Sequence, residues 1–267
     1  MLRWFGLVLA LVLSAPAAAG AFMQPPEEGQ IISQLAFSGS TRAYDGYGRL
    51  GPIPAWRKFE LTTYAEYGLT DWLTVIGSPS WFTFRAPEAR PSNYFGPLPT
   101  STLSRVGAAE VGARIALVEW TDEIISFQAT ARYAAGGVTS QPYVDMGRRA
   151  QIDARLLYGR NFEMLDMSGY FDAQIGFRTG GPLGPQLRFD MTYALRPIDF
   201  VTIMLQSFTE ITPGALGQHF MLQQKVQASA LVDITSNVAL QLGVLGSLRG
   251  VNAARERGVV TGVWVKF

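Results

Sequence analysis

The chain has 267 residues, with 22 Lys+Arg against 21 Asp+Glu, one His and no Cys. A net charge of +1 provides no broad basic surface for a nucleic-acid backbone, so we expect no nucleic-acid partner. The lack of cysteine excludes disulfides and thiolate sites, and one histidine leaves little for zinc, so we expect no metal and no cofactor. The 28 Gly, 15 Pro and 12% aromatic residues favour a β protein with many turns.

The first residues have the pattern of a secretory signal peptide. A basic start at Arg3 is followed by an apolar stretch and a run of small residues. The apolar stretch is too short to span a bilayer comfortably, and no later segment approaches the length of a transmembrane helix. Cleavage after Ala19 or Ala21 fits equally well. We therefore predict that residues 1–21 are a cleaved signal peptide and that residues 22–267 form the mature domain.

The rest of the sequence repeatedly alternates apolar with polar residues. Residues 187–196 set Leu, Phe, Met, Tyr and Leu against Arg, Asp, Thr, Ala and Arg, and residues 125–133 and 171–178 behave likewise. A period of two gives a strand one apolar and one polar face. Twelve such segments are predicted, at 30–43, 56–69, 72–84, 107–119, 124–135, 151–163, 169–179, 186–195, 199–210, 219–234, 238–249 and 258–267.

Short and long connections alternate between these segments. Tight turns fall at 70–71, 121–122, 165–167, 196–198 and 235–237, and longer connections at 44–55, 85–106, 136–150, 180–185, 211–218 and 250–257. Outer-membrane barrels combine short periplasmic turns with longer extracellular loops, whereas a soluble sandwich has no reason to place its long loops at one end. The pattern predicts an all-β fold, a single transmembrane antiparallel β-barrel of about 12 strands in the cell outer membrane.

Aromatic residues support this prediction. The chain ends in an alternating strand that would turn Val263, Val265 and Phe267 to lipid and Trp264 and Lys266 inward. The terminal Phe267 resembles the closing-strand signal of Gram-negative outer-membrane proteins, which implies the barrel-assembly machinery as a partner. Aromatics beside the short turns predict an interfacial girdle made of Trp72, Trp120, Phe162, Tyr170, Phe200 and Phe267.

The polar faces of the strands predict the lumen. Its ionisable residues, which we expect along the substrate path, are Glu60, Glu66, Glu110, Arg114, Arg132, Asp153, Arg155, Asp172, Arg178, Arg188, Asp190 and Lys225. Six acids and six bases could form a salt-bridged plug, or could line a narrow channel with opposed walls. The spread of the bases over several strands favours a basic wall facing an acidic one.

Catalysis is not expected. His219 is the single imidazole and has no serine within two residues, so it is interpreted as a rim or loop histidine, and no catalytic residue is predicted. The long segment 85–107 carries Tyr94 and Phe95, and it could fold into the mouth as a constriction or cover the outer rim.

One hairpin carries a family resemblance. Residues 64–75 contain the run E-Y-G-L-T-D-x-L-x-V, which resembles small Gram-negative outer-membrane barrels known as transporters of the phenol meta-pathway type. Residues 24–32 and the terminus also resemble related barrels linked to surface polysaccharide and agglutination. The resemblance implies an outer-membrane channel for passive diffusion of small organic or sugar-like solutes, surrounded by outer-membrane lipid and lipopolysaccharide. The alternative it leaves open is a non-conducting protein that supports exopolysaccharide export or cell-surface attachment.

Overall fold

The structure is a computed structural model that describes residues 20–87, 100–135, 148–180, 184–214 and 220–267. Within these ranges no helix is long and apolar enough to cross a membrane. The strands are β1 (Gly29–Tyr44), β2 (Leu50–Thr70), β3 (Leu73–Pro87), β4 (Thr100–Glu119), β5 (Glu123–Ala135), β6 (Arg148–Met164), β7 (Met167–Thr179), β8 (Gln186–Ile198), β9 (Val201–Thr212), β10 (Met221–Asp233), β11 (Val238–Val251), β12 (Ala253–Ala254) and β13 (Arg257–Lys266).

The twelve long strands close into one antiparallel barrel. Each pairs with its neighbours in the sequence, and β1 pairs with both β2 and β13. At the seam the backbone N–H of Gly29 donates to the carbonyl of Phe267 over 2.8 Å, and that of Phe267 donates back over 3.0 Å. The two-residue β12 only extends this pairing along β1. The predicted all-β, twelve-stranded barrel is confirmed.

Short and long connections lie at opposite ends of the barrel, as the sequence predicts. The turn between β6 and β7 has two residues, with positive φ at both Leu165 (53°) and Asp166 (60°), as a type I′ hairpin requires. The chain reaches β1, and leaves β13, at the same short-turn end. By the rule for such barrels this end is periplasmic and the long-loop end is extracellular.

Two strands are longer than predicted at the extracellular end. β2 begins at Leu50 and β4 at Thr100, so parts of the expected loops 44–55 and 85–106 are strand. These extensions pair with β1 and with β3. They escape prediction because a hairpin outside the lipid does not need an apolar face, so the alternation stops before the pairing does.

The turn from β1 to β2 is ordered by Asp45. Its carboxylate Oδ1 accepts hydrogen bonds from the backbone N–H groups of Arg49 (2.8 Å) and Tyr47 (2.9 Å). These backbone bonds, from Arg49 first and then Tyr47, lower the pKa of Asp45 because they favour the charged carboxylate.

The barrel is apolar outside and polar inside. In β11, for example, Leu242 on the outer face is 68% exposed, whereas the neighbouring Gln241 is 3% exposed and faces inward. The side-chain amide oxygen Oε1 of Gln241 accepts a hydrogen bond from Trp264 Nε1 over 3.0 Å, so Trp264 faces inward as predicted. An outer face of this composition suits contact with lipid chains.

The predicted aromatic girdle is largely present at the short-turn end. Trp72, Trp120, Phe200 and Phe267 are exposed there, and the ring of Phe162 stacks on the outer Tyr193. The assignment of Tyr170 to the girdle is wrong. It is 2% exposed and belongs to the inner wall, because Phe171 takes the outward position on β7.

Candidate functional site

The candidate functional site is the lumen of the barrel. The twelve ionisable residues expected there all lie on inward faces of the strands, and eleven of them form ion pairs. Asp172 is the exception, since no cationic side chain among the described residues lies within 4 Å of its carboxylate. So many charges can be buried only because they are paired. The pairing therefore determines how the charged side chains are arranged in the lumen.

The largest charged cluster is centred on Asp153. Its carboxylate lies 2.7 Å from Arg155 Nε, 2.9 Å from Arg178 Nη2 and 3.2 Å from Arg188 Nη1. Asp190 Oδ2 pairs with the same arginine, at 2.8 Å from Arg155 Nη1. The register brings these groups together, because Asp153 of β6 pairs directly with Arg178 of β7. Three guanidinium groups thus surround two carboxylates on one side of the lumen.

This cluster continues onto β4 and β5 and retains free hydrogen-bonding capacity. Glu110 lies 2.7 Å from Arg132 Nε and 3.7 Å from Arg178 Nη2. Among the described residues, neither Arg188 Nε nor Asp190 Oδ1 has a hydrogen-bond partner, although both atoms are buried. Buried polar atoms of this kind favour a partner from the lumen, because leaving them unpaired is costly.

A second charged cluster lies on the opposite wall around Glu256. This carboxylate is buried between Lys58, whose Nζ is 3.6 Å away, and Lys225, and it accepts a hydrogen bond from Ser38 Oγ over 2.6 Å. Lys58 also pairs with Glu60 over 2.8 Å. Sequence reasoning missed Lys58 and Glu256. Lys58 shares the polar face of its strand with Glu60, which was a usable signal, whereas Glu256 falls in a segment expected to be a loop.

The expected separation into a basic and an acidic wall is wrong. Both clusters combine the two signs, with Asp153 among arginines and Glu256 between lysines. Like charges side by side in a poorly hydrated interior repel, so neighbouring strands supply opposite charges.

Closer to the short-turn end, Arg114 organises the lumen. It is 2% exposed, and its Nη1 donates to Glu66 Oε2 over 3.3 Å and to the carbonyl of Phe22 over 2.8 Å. Its Nη2 donates to the hydroxyl of Tyr64 over 2.9 Å and to Gln128 Oε1 over 3.0 Å. Arg114 is therefore the counter-ion of Glu66, and it also holds the backbone that precedes β1 through a hydrogen bond.

That backbone, residues 20–24, lies inside the barrel and is called the plug segment below. Ala21 N donates to Asp172 Oδ2 over 2.6 Å, and Ser126 Oγ donates to the carbonyl of Ala21 over 2.7 Å. Gln24 N donates to Thr74 Oγ1 over 3.0 Å. The sequence did not predict this placement, because the same residues fit the small-residue end of a signal peptide.

The inner wall beside the plug segment is apolar. Its members come from seven strands and are Ile32, Tyr170, Ala194, Met204, Leu231, Ala239 and Trp264, with Phe22 packed against them. A pocket of about 320 Å³ opens between this wall and a rim that includes Arg196 and Asp233, which form an ion pair. The periplasmic half of the lumen therefore combines an apolar surface with a charged border. His219, Tyr94 and Phe95 lie outside the described residues.

A closed barrel of twelve strands with an apolar outer surface, an aromatic girdle and a charged lumen defines an outer-membrane β-barrel, a protein of the cell outer membrane. Its fold is similar to that of the COG4313 outer membrane channel from Pseudomonas putida F1 (TM-score 0.67, 13% identity, 95% of this chain and 99% of the other covered). It is also similar to the NanC porin (0.53, 8%, 88% and 100%) and to the transport unit of the autotransporter AIDA-I from Escherichia coli (0.52, 9%, 97% and 94%). Neither a protein-family model nor a curated protein sequence matches this chain.

Proposed function

We propose that this barrel is an outer-membrane channel that passes small organic solutes by passive diffusion. The observation that carries the proposal is a charged lumen in which the side chains of Arg188 and Asp190 stay partly accessible, at 20% and 11% exposed, and each keeps one polar atom without a partner among the described residues. A solute carrying a polar group can pair with the accessible part of these side chains. The apolar wall with Tyr170 and Trp264 would then receive the rest of the molecule. This favours organic solutes with a ring or chain over purely sugar-like ones, and it agrees with the resemblance of residues 64–75 to transporters of aromatic-degradation pathways.

Passage through the lumen requires the plug segment to move. The segment is held by Arg114, Ser126 and Asp172 through single hydrogen bonds, not by strand pairing. Local release of such a segment costs much less than opening the barrel wall. Because the plug segment lies in the lumen, the closed form has low conductance. Because its release is local, opening takes place at the short-turn end and leaves the barrel wall unchanged.

Conductance of the refolded mature protein in a planar bilayer tests the proposal. We expect small ohmic steps, and a shift of ion preference toward cations when Arg132→Gln or Arg188→Gln removes a lumen charge. Arg160→Gln is the matched control, because Arg160 is an exposed outward residue that pairs with Glu123 near the short turns. An unchanged ion preference in both lumen variants would contradict the assignment of Arg132 and Arg188 to the part of the lumen that selects ions.

A silent barrel would instead favour the alternative, a non-conducting protein that supports exopolysaccharide export or cell-surface attachment. Folding of the silent sample must be established by heat-dependent gel mobility. The specific observation behind this alternative is the occupation of the lumen by the plug segment and its ion pairs. If deletion of residues 20–24 gave conductance to a silent barrel, the result would favour a channel that the plug segment closes over the non-conducting alternative.

We also propose that Phe267 is recognised by the barrel-assembly machinery. Its side chain is exposed at the short-turn end, where its ring stacks with Tyr67 at a centroid distance of 6.4 Å. Phe267→Ala is expected to slow insertion into outer-membrane vesicles that contain the machinery. An equal slowing in protein-free lipid vesicles would assign the effect to packing and not to recognition.

A further inference from the structure

Three arginines form one row on the outer surface near the extracellular end. Gly39 of β1 pairs with Arg257 of β13 on one side and with Arg57 of β2 on the other, and Arg57 pairs in turn with Arg85 of β3. Residues that pair directly across antiparallel strands project to the same face. We call Arg257, Arg57 and Arg85 the arginine row, and at strand spacings of about 4.8 Å it extends over about 14 Å.

The arginine row faces away from the lumen. On the same face, two residues toward the periplasm, lie Phe37 and Val259, each about half exposed and part of the lipid-facing surface. On β2 the alternate residues Lys58 and Glu60 make the lumen contacts described above. All three arginines are exposed. The row therefore borders the apolar band directly.

The height of the row corresponds to the outer interface of the membrane. Arg57 is twelve residues from Leu69, which is exposed near the short turns. At about 3.3 Å per residue and a tilt of about 40°, this separation is about 30 Å along the membrane normal. The apolar band of such barrels is about 25 Å tall. The guanidinium groups are thus at the level of lipid headgroups, not of acyl chains.

Within the part of the chain that the structure describes, the row has no neutralising carboxylate. No carboxylate among the described residues lies within 4 Å of Arg57, Arg85 or Arg257. The direct pairing of Arg57 with Arg85 places like charges opposite each other, which destabilises a sheet. A side chain at Gly39 would meet the carbonyl of Trp56 at 2.5 Å, so this position stays open between the flanking arginines. The row lines a groove of about 930 Å³ that also includes Arg42 and Arg255.

We propose that the arginine row binds the phosphate groups of lipopolysaccharide in the outer leaflet. Guanidinium groups bind phosphate through paired, charge-assisted hydrogen bonds, and a phosphate between two arginines would relieve their repulsion. The source of the phosphate is a lipid, because the row faces outward and the apolar residues beneath it would contact the acyl chains of the same molecule. The inference depends on the membrane orientation and not on whether the lumen conducts.

Native mass spectrometry of the refolded full-length barrel in detergent tests this site. The probes are diphosphorylated lipid A and the same lipid without its phosphates. We expect the unmodified protein to retain the phosphorylated lipid at least tenfold more strongly, since each lost charge-assisted contact is worth about tenfold. The triple variant Arg57→Gln/Arg85→Gln/Arg257→Gln should lose that preference, and single Arg57→Gln should weaken it several-fold. Arg160→Gln, which removes one outward charge at the other end of the barrel, should bind as the unmodified protein does.

Three results would overturn the proposal. These are equal retention of both lipids, unchanged binding by the triple variant, and displacement of the lipid by an equal concentration of inorganic phosphate, which would indicate a site for soluble anions. Misfolding of the triple variant would be detected separately from a loss of binding. Because the substitutions relieve repulsion, the triple variant should keep its heat-dependent gel mobility, and without lipid it should unfold at the same or a higher denaturant concentration.

Discussion

Removing Arg114 leaves a carboxylate buried without its counter-ion. The side chains of Arg114 and Glu66 are 2% and 0% exposed and pair over 3.3 Å. Breaking a buried pair from one side costs about 3–5 kcal/mol, whereas replacing both partners by neutral groups of similar size is close to neutral. We therefore expect Arg114→Met to lower the free energy of unfolding by about 4 kcal/mol. The double variant Arg114→Met/Glu66→Gln should recover most of that loss.

Guanidinium-induced unfolding of the refolded barrel in lipid vesicles, followed by tryptophan fluorescence, measures these differences. Arg160→Met is the matched control, since its pair with Glu123 is 3.5 Å long and more than a third exposed on both sides. An exposed pair contributes at most about 1 kcal/mol. A loss below about 1 kcal/mol for Arg114→Met, or a double variant as unstable as the single one, would refute the reasoning from an uncompensated charge.

Three further predictions concern the plug segment and one loop. We expect intact mass to show maturation after Ala19, the cleavage position that leaves the contacts of Ala21 with Asp172 and Ser126 in the mature barrel. Gly159→Val should raise single-channel conductance severalfold with the barrel intact, because a Cβ there would meet the ring of Phe22 at 2.8 Å and displace the plug segment. The pKa of Asp45 is lowered by the backbone hydrogen bonds of its own turn, so the contribution of this carboxylate to loop order is complete above about pH 3.8 and is lost as the pH falls through the lowered value. Protease cleavage of this loop, measured between pH 7 and pH 2, should increase only at the acid end.

The alternation of residue types was sufficient to predict the barrel. Residues 187–196 show why, since Leu187, Phe189 and Met191 are exposed on the outer face and Asp190 and Thr192 are buried on the inner one. A lipid-facing strand follows this pattern over most of its length, because its outer positions contact lipid chains. The prediction for Tyr170 was wrong because a tyrosine suits both a membrane interface and an inner wall, so the residue type alone does not determine which face of the strand it takes.

The pairing of charges could not be predicted in the same way. Which guanidinium reaches Asp153 depends on strand register and tilt, which bring Arg188 of β8 across β7 to β6. The plug segment was hidden for a different reason. Ala21 is buried and Phe22 partly buried by contacts with residues far away in the sequence, and no local period marks such a segment.

The seam between β1 and β13 has a consequence for how the barrel forms. Every other long strand pairs with its neighbour in the sequence, but this seam joins the two ends of the chain, with Gln30 opposite Lys266. Its closure carries the greatest loss of chain entropy, and we therefore expect it to be the slow step of folding. Until β13 is synthesised and placed, the sheet has two open edges that can pair with other chains. A truncation of even the last strand should therefore cause aggregation instead of a smaller barrel.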